Sequence, residues 1–250
     1  MFEKHDHFVG QEISSDCHVW RYMSTTKLLN LVATSSLNFT RADIFEDRWE
    51  GKLSNANWDA HEAAYGEHAA KILPFKEDLE KRRSSLFHVS SWSLLEHEST
   101  AMWREYGDDS KGVAVRTSWG NLEKSLNTSI PIYGFRVIYN DYADDWLPEN
   151  NTFHPLLRKR HFFNHEMEAR LLISSHIETY GTSPTGEATV AFSPNDESIQ
   201  IPIDVAGLIT EVYFGASMPA WEQALVEQAL NQASHTVIFN KSALAELPRI

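Results

Sequence analysis

The sequence predicts an α+β fold, a single domain with a mixed, mainly antiparallel sheet and flanking helices. Three observations support this prediction. The chain has 250 residues and is 42% hydrophobic, which is ample for one core. Several short segments alternate polar and apolar side chains with the period of two typical of strands. These strands mostly precede short helices without a regular β-α-β alternation, which is typical of an α+β fold. We expect a flexible segment over residues 1–16 and one domain over residues 17–250.

The first predicted strand, residues 17–23, places Arg21 on the same face as Val19 and Met23. An arginine flanked by aromatic residues needs a partner. Two interpretations stay open at this point. Arg21 either runs along a sheet edge to solvent or points a fixed cation into a pocket.

The elements that follow are predicted from caps, apolar stripes and breakers. A helix begins after Ser24 or Thr25, and a short strand covers residues 37–40. The loop of residues 41–51 is dense in acids and aromatics, so it either lines a polar site or holds internal ion pairs. Residues 56–83 predict one or two helices broken at Pro74.

The stretch from residue 87 to residue 117 predicts strand, helix, strand. Alternation puts Ser91 and Ser93 on one face of the first strand, an unusual choice for a pure core strand. The short helix is predicted to begin at Ser99 and to end at Gly107, and its expected buried stripe is Met102, Trp103 and Tyr106.

A second polar strand is predicted where Glu166, Glu168 and Arg170 would share one face. A helix would instead make Glu166 and Arg170 an i,i+4 pair, but the apolar alternation of residues 167–173 favours the strand. Other expected elements are a strand over residues 134–139, a helix over residues 155–165, a hairpin or loop over residues 179–195, strands over residues 199–205, 208–214 and 236–239, and a helix over residues 219–233.

Composition excludes several classes of function. The net charge of −13 argues against passive nucleic-acid binding, and the basic runs 81–83 and 158–160 are interpreted as solvated helix faces or ends. No apolar run or leader predicts a membrane span, and a single cysteine, Cys17, predicts a cytoplasmic protein without disulfides. No phosphate-binding glycine loop or Gly-x-Ser-x-Gly elbow occurs, and His161 and His165 alone do not predict a metal site.

An ordered set of motifs resembles the bacterial domain family of unknown function DUF2971, over roughly residues 17–240. The set consists of residues 20–22, 37–39, 45–51, 91–93, 102–107 and 111–112, with Glu166, Glu168 and Arg170. Members of this family are often met near mobile-element and phage-defence genes. The resemblance implies a defence or toxin role, with a cognate antitoxin or defence partner as a candidate binding partner.

A weaker resemblance is to the arginine-serine-glutamate ADP-ribosyltransferases, which carry an arginine strand, a Ser-Thr-Ser strand and a Glu-x-Glu pair around a cleft for NAD. This chain has Arg21, Ser91 and the pair Glu166 and Glu168 in that order. Trp92 replaces the middle threonine. The resemblance implies that Arg21 binds the NAD phosphates and that Ser91 holds the nicotinamide ribose or orients the glutamate. The further residues it suggests for NAD binding are Tyr22, Ser93 and Trp103.

In this hypothesis Glu168 accepts a hydrogen bond from the ribose 2′-hydroxyl and stabilises the oxocarbenium-like transition state, while Glu166 deprotonates an acceptor macromolecule, a protein or a nucleic acid. Arg170 could instead neutralise Glu168 in a structural ion-pair ladder. Two other classes stay open. A metal-dependent nuclease or phosphodiesterase would use the acids Asp43, Glu46, Asp47, Glu50, Glu166 and Glu168. A non-catalytic sensor or interaction domain would use the same residues to hold the fold.

Overall fold

The structure, a computed structural model, describes residues 2–3, 12–174, 179–182, 188–191, 197–233 and 236–246. Its strands are β1 (Phe2–Glu3), β2 (His18–Met23), β3 (Ser36–Arg41), β4 (Phe87–Ser93), β5 (Val113–Ser118), β6 (Ile132–Arg136), β7 (Ile138–Asn140), β8 (Arg158–Arg160), β9 (Glu168–Ser174), β10 (Thr179–Thr182), β11 (Ala188–Ala191), β12 (Ser198–Pro202), β13 (Glu211–Phe214) and β14 (Ile238–Lys241). Its α-helices are α1 (Thr25–Thr34), α2 (Asn55–Tyr65), α3 (Ala69–Ser84), α4 (Thr100–Glu105), α5 (Trp119–Ser125), α6 (Val205–Leu208) and α7 (Ala220–Ala233). Short 3-10 helices cover Ala42–Ile44, Gly66–His68, His154–Leu157, His161–Glu166 and Ala243–Ala245.

A ten-stranded sheet organises the described part of the chain. Its main path runs β1-β6-β9-β4-β2-β5-β13-β14, and β3 joins β4 beside β2 and carries β12 on its other edge. The pairs β1–β6 and β13–β14 are parallel, whereas the other pairs of this sheet are antiparallel. The mixed, mainly antiparallel α+β fold predicted from the sequence is therefore confirmed.

The two faces of the sheet carry different side chains because the strands alternate as predicted. One face holds a large apolar cluster that joins Val19 and Leu171 of the sheet to Leu28 of α1 and Val226 of α7. The other face holds two smaller clusters. One is built around Phe87, Val89, Phe135, Leu156, Leu157 and Leu172, and the other around Trp20, Tyr22, Met102 and Trp103. Ser91 and Ser93 of β4 and Glu168 and Arg170 of β9 lie on this second face, whereas His88 and Ser90 of β4 alternate onto the first face.

Several predicted boundaries are wrong, each for a local physical reason. The helical region breaks at Gly66, which has a φ of 49°, and Pro74 lies inside α3. The strand expected over residues 134–139 is two strands, β6 and β7, interrupted at Val137. The helix expected over residues 155–165 is two 3-10 turns flanking the strand β8.

The remaining elements follow the predictions more closely. β10 and β11 pair antiparallel, as expected for a hairpin, while the residues between them lie outside the described part of the chain. Most of the segment 1–16 also lies outside it, although Phe2 and Glu3 pair with β6. No helix among the described residues is long and apolar enough to span a membrane.

Candidate functional site

The sheet opens into a fork at β4. β2 pairs with the end of β4 through Trp20 and Ser93, and β3 pairs with its beginning through Thr40 and Val89. Neither strand pairs with residues 90–92, so β2 and β3 diverge from this edge. A cleft of ≈ 1530 Å³ occupies the opening and extends over the polar residues of β4 and β9.

Arg21 lies in the fork. Because Trp20 pairs with Ser93, alternation directs Arg21 to the opposite face of the sheet from Ser93. Its Nη1 donates to Ser90 Oγ at 2.6 Å, and its guanidinium carbon lies 5.5 Å from the centre of the Trp92 ring. Since the sheet is open here, Arg21 nevertheless lines the same cleft as Glu168.

Arg21 has no carboxylate partner among the residues that the structure describes. Burial lowers the pKa of its guanidinium to about 10. A desolvated cation without a counter-charge is costly, so this position favours an anion from outside the chain.

The other end of the cleft holds the strand pair predicted to carry the chemistry. In the antiparallel register of β4 and β9, Ser93 lies opposite Glu168 and Ser91 lies opposite Arg170. Ser91 is exposed, whereas Glu168 is only 4% exposed. Both serines and Glu168 line the cleft. The predicted placement of these side chains on one face therefore holds.

Met167 separates the two glutamates in an uncommon backbone conformation. Its φ is 45°, in the left-handed region that costs a non-glycine residue about 1–3 kcal/mol. The bend places Glu166 at the end of the preceding 3-10 helix and Glu168 at the first position of β9. Both carboxylates thereby contact the same ammonium group, that of Lys159, although only Glu168 belongs to the strand.

Arg170 holds Glu168 and Glu50 together. Its Nε and Nη2 donate to the two carboxylate oxygens of Glu168 at 2.7 and 2.9 Å. Nη2 also donates to Glu50 Oε2 at 2.5 Å, and Nη1 donates to the Leu156 carbonyl. All four residues are buried. The ion-pair ladder considered from the sequence is therefore present.

Lys159 is the second cation of this cluster. Its Nζ lies 2.7 Å from Glu166 Oε2, 3.2 Å from Glu50 Oε1 and 3.4 Å from Glu168 Oε2. The interpretation of the run 158–160 as a solvated helix face is wrong for Lys159, which is only 5% exposed and lies in the strand β8. We call Glu50, Lys159, Glu166, Glu168 and Arg170 the acid cluster.

The two cleft glutamates titrate in opposite directions. Burial alone would raise the pKa of Glu168, but the charges of Arg170 and Lys159 and hydrogen bonds from Arg170 and Ser91 lower it to about 2. Burial raises the pKa of Glu166, and the Glu168 charge adds to this effect, although Lys159 opposes it. Glu168 is thus held ionised, whereas Glu166 is the member of the pair that takes up a proton more readily.

Helix α4 forms the wall of the cleft beside Glu166. Ser99 caps this helix as predicted, since its Oγ accepts from the Met102 amide. Tyr106, which was expected to be buried, is 45% exposed, and its hydroxyl donates to Glu166 Oε1 at 3.0 Å. A residue expected to pack in the core instead covers a catalytic candidate.

The predicted NAD-binding residues are only partly brought together. Tyr22 lines the cleft, but its hydroxyl already accepts from the Ser99 amide. Trp103 does not line the cleft; it is fully buried against Tyr22, and its Nε1 donates to Glu98. Ser93 lines the cleft and donates to the Glu166 carbonyl at 2.6 Å. Arg21 and Ser91 are therefore the more accessible of the predicted residues, whereas both oxygens of Glu166 and of Glu168 already accept hydrogen bonds from neighbouring side chains.

Sequence reasoning missed Lys159 and the cleft role of Tyr106 as functional residues. A usable signal existed for Lys159, because alternation within a short strand would have separated it from Arg158 and Arg160. Arg160 does point elsewhere, and it forms a two-pronged pair with Asp47 at 2.8 and 3.1 Å. Glu50 was predicted as a metal ligand and as part of the loop 41–51, and its pairs with Lys159 and Arg170 fit the internal ion pairs considered for that loop.

The acids predicted for a metal site are largely occupied by cations. Glu50, Glu166 and Glu168 contact Lys159, and Asp47 contacts Arg160. A different group, Glu105, His165 and Glu166, has ligand atoms within 4.8 Å of one another in the described part of the chain. Both oxygens of Glu166 already accept hydrogen bonds, from Tyr106 and Lys159. The metal-dependent hypothesis stays a prediction.

Comparison with known proteins gives one partial match. The model of a family described as "Protein of unknown function (DUF2971)" matches residues 102–171. This segment includes most of the acid cluster and Tyr106, whereas the fork residue Arg21 and the serine strand β4 fall outside it. No curated protein matches the chain.

Proposed function

We propose that this protein cleaves the bond between nicotinamide and ribose in NAD, in the manner of an ADP-ribosyltransferase. The observation that carries the proposal is the pair of unbalanced charges in one cleft. Within the described part of the chain, Arg21 offers a cation without a carboxylate partner, while the acid cluster sets three carboxylates against two cations. An NAD molecule has a diphosphate for the first position and a cationic nicotinamide riboside for the second.

Arg21 is suited to the diphosphate because its planar guanidinium can donate two parallel hydrogen bonds to phosphate oxygens. One of its nitrogens is used by Ser90, and the face of Trp92 orients the group. The remaining donors are available to the ligand. Binding an anion here would also offset the cost of burying the unpaired cation.

Glu168 is suited to the reacting ribose. A carboxylate has about four lone pairs, and Glu168 already accepts from Arg170 Nε and Nη2, from Lys159 and from Ser91, so what it offers the ribose is its charge. With its pKa lowered to about 2, Glu168 is ionised at neutral pH. Its charge would stabilise the positive charge that develops on the ribose as nicotinamide leaves. Arg170 binds both oxygens of Glu168 and so fixes the orientation of the carboxylate toward the ribose.

The direct test is nicotinamide release from NAD by the purified protein and by Glu168→Gln. We expect the substitution to lower the rate by about 10²–10³-fold, the cost typical of removing one group that stabilises transition-state charge. Glu211→Gln is the matched control, because Glu211 forms a half-buried ion pair with Arg116 that does not line the cleft. Equal rates in wild type and Glu168→Gln would contradict the proposal.

The defence or toxin role, the antitoxin partner and the macromolecular acceptor implied by the family resemblances stay predictions. If folded protein releases no nicotinamide, the remaining hypotheses separate readily. A nuclease would act only with Mg²⁺ or Mn²⁺ and without NAD. An interaction domain would show no turnover under either condition.

A further inference from the structure

We propose that water, rather than a protein or nucleic-acid side group, is the acceptor, so that the protein is an NAD glycohydrolase. This inference rests on the proposed cleavage of NAD and names what the reaction does with the ribosyl group. It is drawn from the way in which Glu166, the candidate base for the acceptor, is enclosed.

Glu166 lines the cleft but presents little of its surface to it. It is 3% exposed, and its two carboxylate oxygens accept from the Tyr106 hydroxyl at 3.0 Å and from Lys159 Nζ at 2.7 Å. A nucleophile activated by this carboxylate must come within hydrogen-bonding distance of one of these oxygens. A lysine, arginine or serine of a macromolecule would need space beside Glu166 for the rest of its side chain and for its backbone as well as for the reacting atom.

A second contact lies beside Glu166 on the same side of the cleft. His165 Nε2 lies 3.4 Å from Glu105 Oε2, which joins the 3-10 helix His161–Glu166 to the end of α4. This contact and the bond between Tyr106 and Glu166 both tie α4 and the residue that follows it to the segment that carries the base. Water needs only one free lone pair and a space of about one solvent probe, so it is the acceptor that fits best beside a carboxylate this little exposed.

The step balances without another reactant. The bond between C1′ and the pyridine nitrogen breaks, its electron pair stays on that nitrogen, and neutral nicotinamide leaves. The water oxygen forms a bond to C1′ and gives its proton to Glu166, which passes it to solvent. The raised pKa of Glu166 suits this role, because a carboxylate of ordinary acidity is a weaker proton acceptor. The products are ADP-ribose, nicotinamide and a proton.

The experiment uses the full chain with NAD labelled in its adenylyl phosphate, with and without added cell lysate. We expect nicotinamide and free ADP-ribose in equal amounts without lysate, and no more than a trace of label in acid-insoluble material when lysate is present. Release that requires lysate, or label that accumulates in macromolecules in proportion to nicotinamide, overturns the inference and leaves NAD cleavage standing. No release under either condition overturns both the inference and the proposed function.

A second measurement tests the enclosure itself. Tyr106→Ala removes the cover from Glu166, so an added alcohol too bulky for the wild-type opening, such as benzyl alcohol, should be captured as its ADP-ribosyl product several-fold more often. Tyr65→Ala is the control, because Tyr65 lies on α2 and does not line the cleft. Circular dichroism establishes that both variants fold. Equal capture by wild type and Tyr106→Ala overturns the inference.

Discussion

The two ends of the cleft differ in whether their charged side chains contact an opposite charge. At the acid cluster, each buried charge contacts at least one opposite charge, and Arg170 alone contacts Glu50 and Glu168. In the fork, Arg21 contacts only a hydroxyl and an aromatic ring among the described residues. Paired charges can be explained by the fold. The unpaired one points to a ligand, and it is this difference that favours binding over a purely structural role for the cleft.

The largest expected effect of the paired charges is on the free energy of unfolding. Arg170→Met leaves Glu50 and Glu168 buried without their shared cation, and we expect a loss of about 3–5 kcal/mol in the free energy of unfolding, because uncompensated buried charges are expensive. Urea denaturation followed by tryptophan fluorescence measures this loss. Arg116→Met is the matched control, and its half-buried pair with Glu211 should cost no more than about 1 kcal/mol. Similar losses in the two variants would show that the buried ion pairs of the acid cluster contribute no more to stability than the half-buried pair of Arg116 and Glu211.

Acidification should weaken the same end of the cleft. The pKa of Glu168 is lowered from 4.5 to about 2, so the unfolded state binds more protons in this window. The stabilisation is present above pH 4.5 and is lost as pH falls through the folded pKa; integrated, it amounts to about 3 kcal/mol. Glu166 acts in the other direction, since its raised pKa contributes stability that is lost as pH rises through that pKa.

The measurement for this prediction is the free energy of unfolding of wild type and Glu168→Gln between pH 5 and pH 2, by denaturant titration at each pH. The wild type should lose more stability than the variant across the window, since other acids titrate in both. Parallel curves would mean that Glu168 is not held ionised by its neighbours.

The fork should respond in binding and hardly at all in stability. Arg21→Gln removes a half-buried cation that has no carboxylate partner among the described residues, so we expect the free energy of unfolding to stay the same or to rise slightly. We also expect the KM for NAD to rise by about tenfold or more, since a charge-assisted hydrogen bond is worth about 1.5–3 kcal/mol. Steady-state kinetics and denaturation of the same preparation check both parts. If Arg21→Gln lowers the free energy of unfolding and leaves the KM for NAD unchanged, Arg21 has a structural role and does not bind NAD.

Sequence reasoning found the strands of the site but not the way in which they meet. The alternation in β9 and the serines in β4 are local signals, and both strands were predicted, but Glu166 was expected in the strand and instead ends the 3-10 helix before it, because Met167 has a left-handed backbone conformation. The fork depends on β2 and β3 competing for one edge of β4, which is a pairing between distant segments and leaves no local signal. Alternation in β8 is a local signal that separates Lys159 from its neighbours, but its partners Glu50 and Glu166 lie in other segments and could not be predicted from it.

The family match covers most of the acid cluster but not the fork. It includes Tyr106, Lys159 and Glu168, while Arg21 and the strand β4 lie N-terminal to the matched residues. The acid cluster thus lies mostly in the part of the chain that resembles a known family. The proposed anion site lies in a part for which structure and chemistry are the guide.

One measurement tests directly whether a single ligand uses both ends of the cleft. It is a crystal structure of the protein with a carbocyclic NAD analogue, which keeps the diphosphate and the pyridinium but has no cleavable glycosidic bond. We predict that a diphosphate oxygen lies within hydrogen-bonding distance of the Arg21 guanidinium and that the nicotinamide-side ring places a hydroxyl against Glu168. An analogue bound elsewhere, or bound in the cleft with its diphosphate away from Arg21, would contradict this assignment.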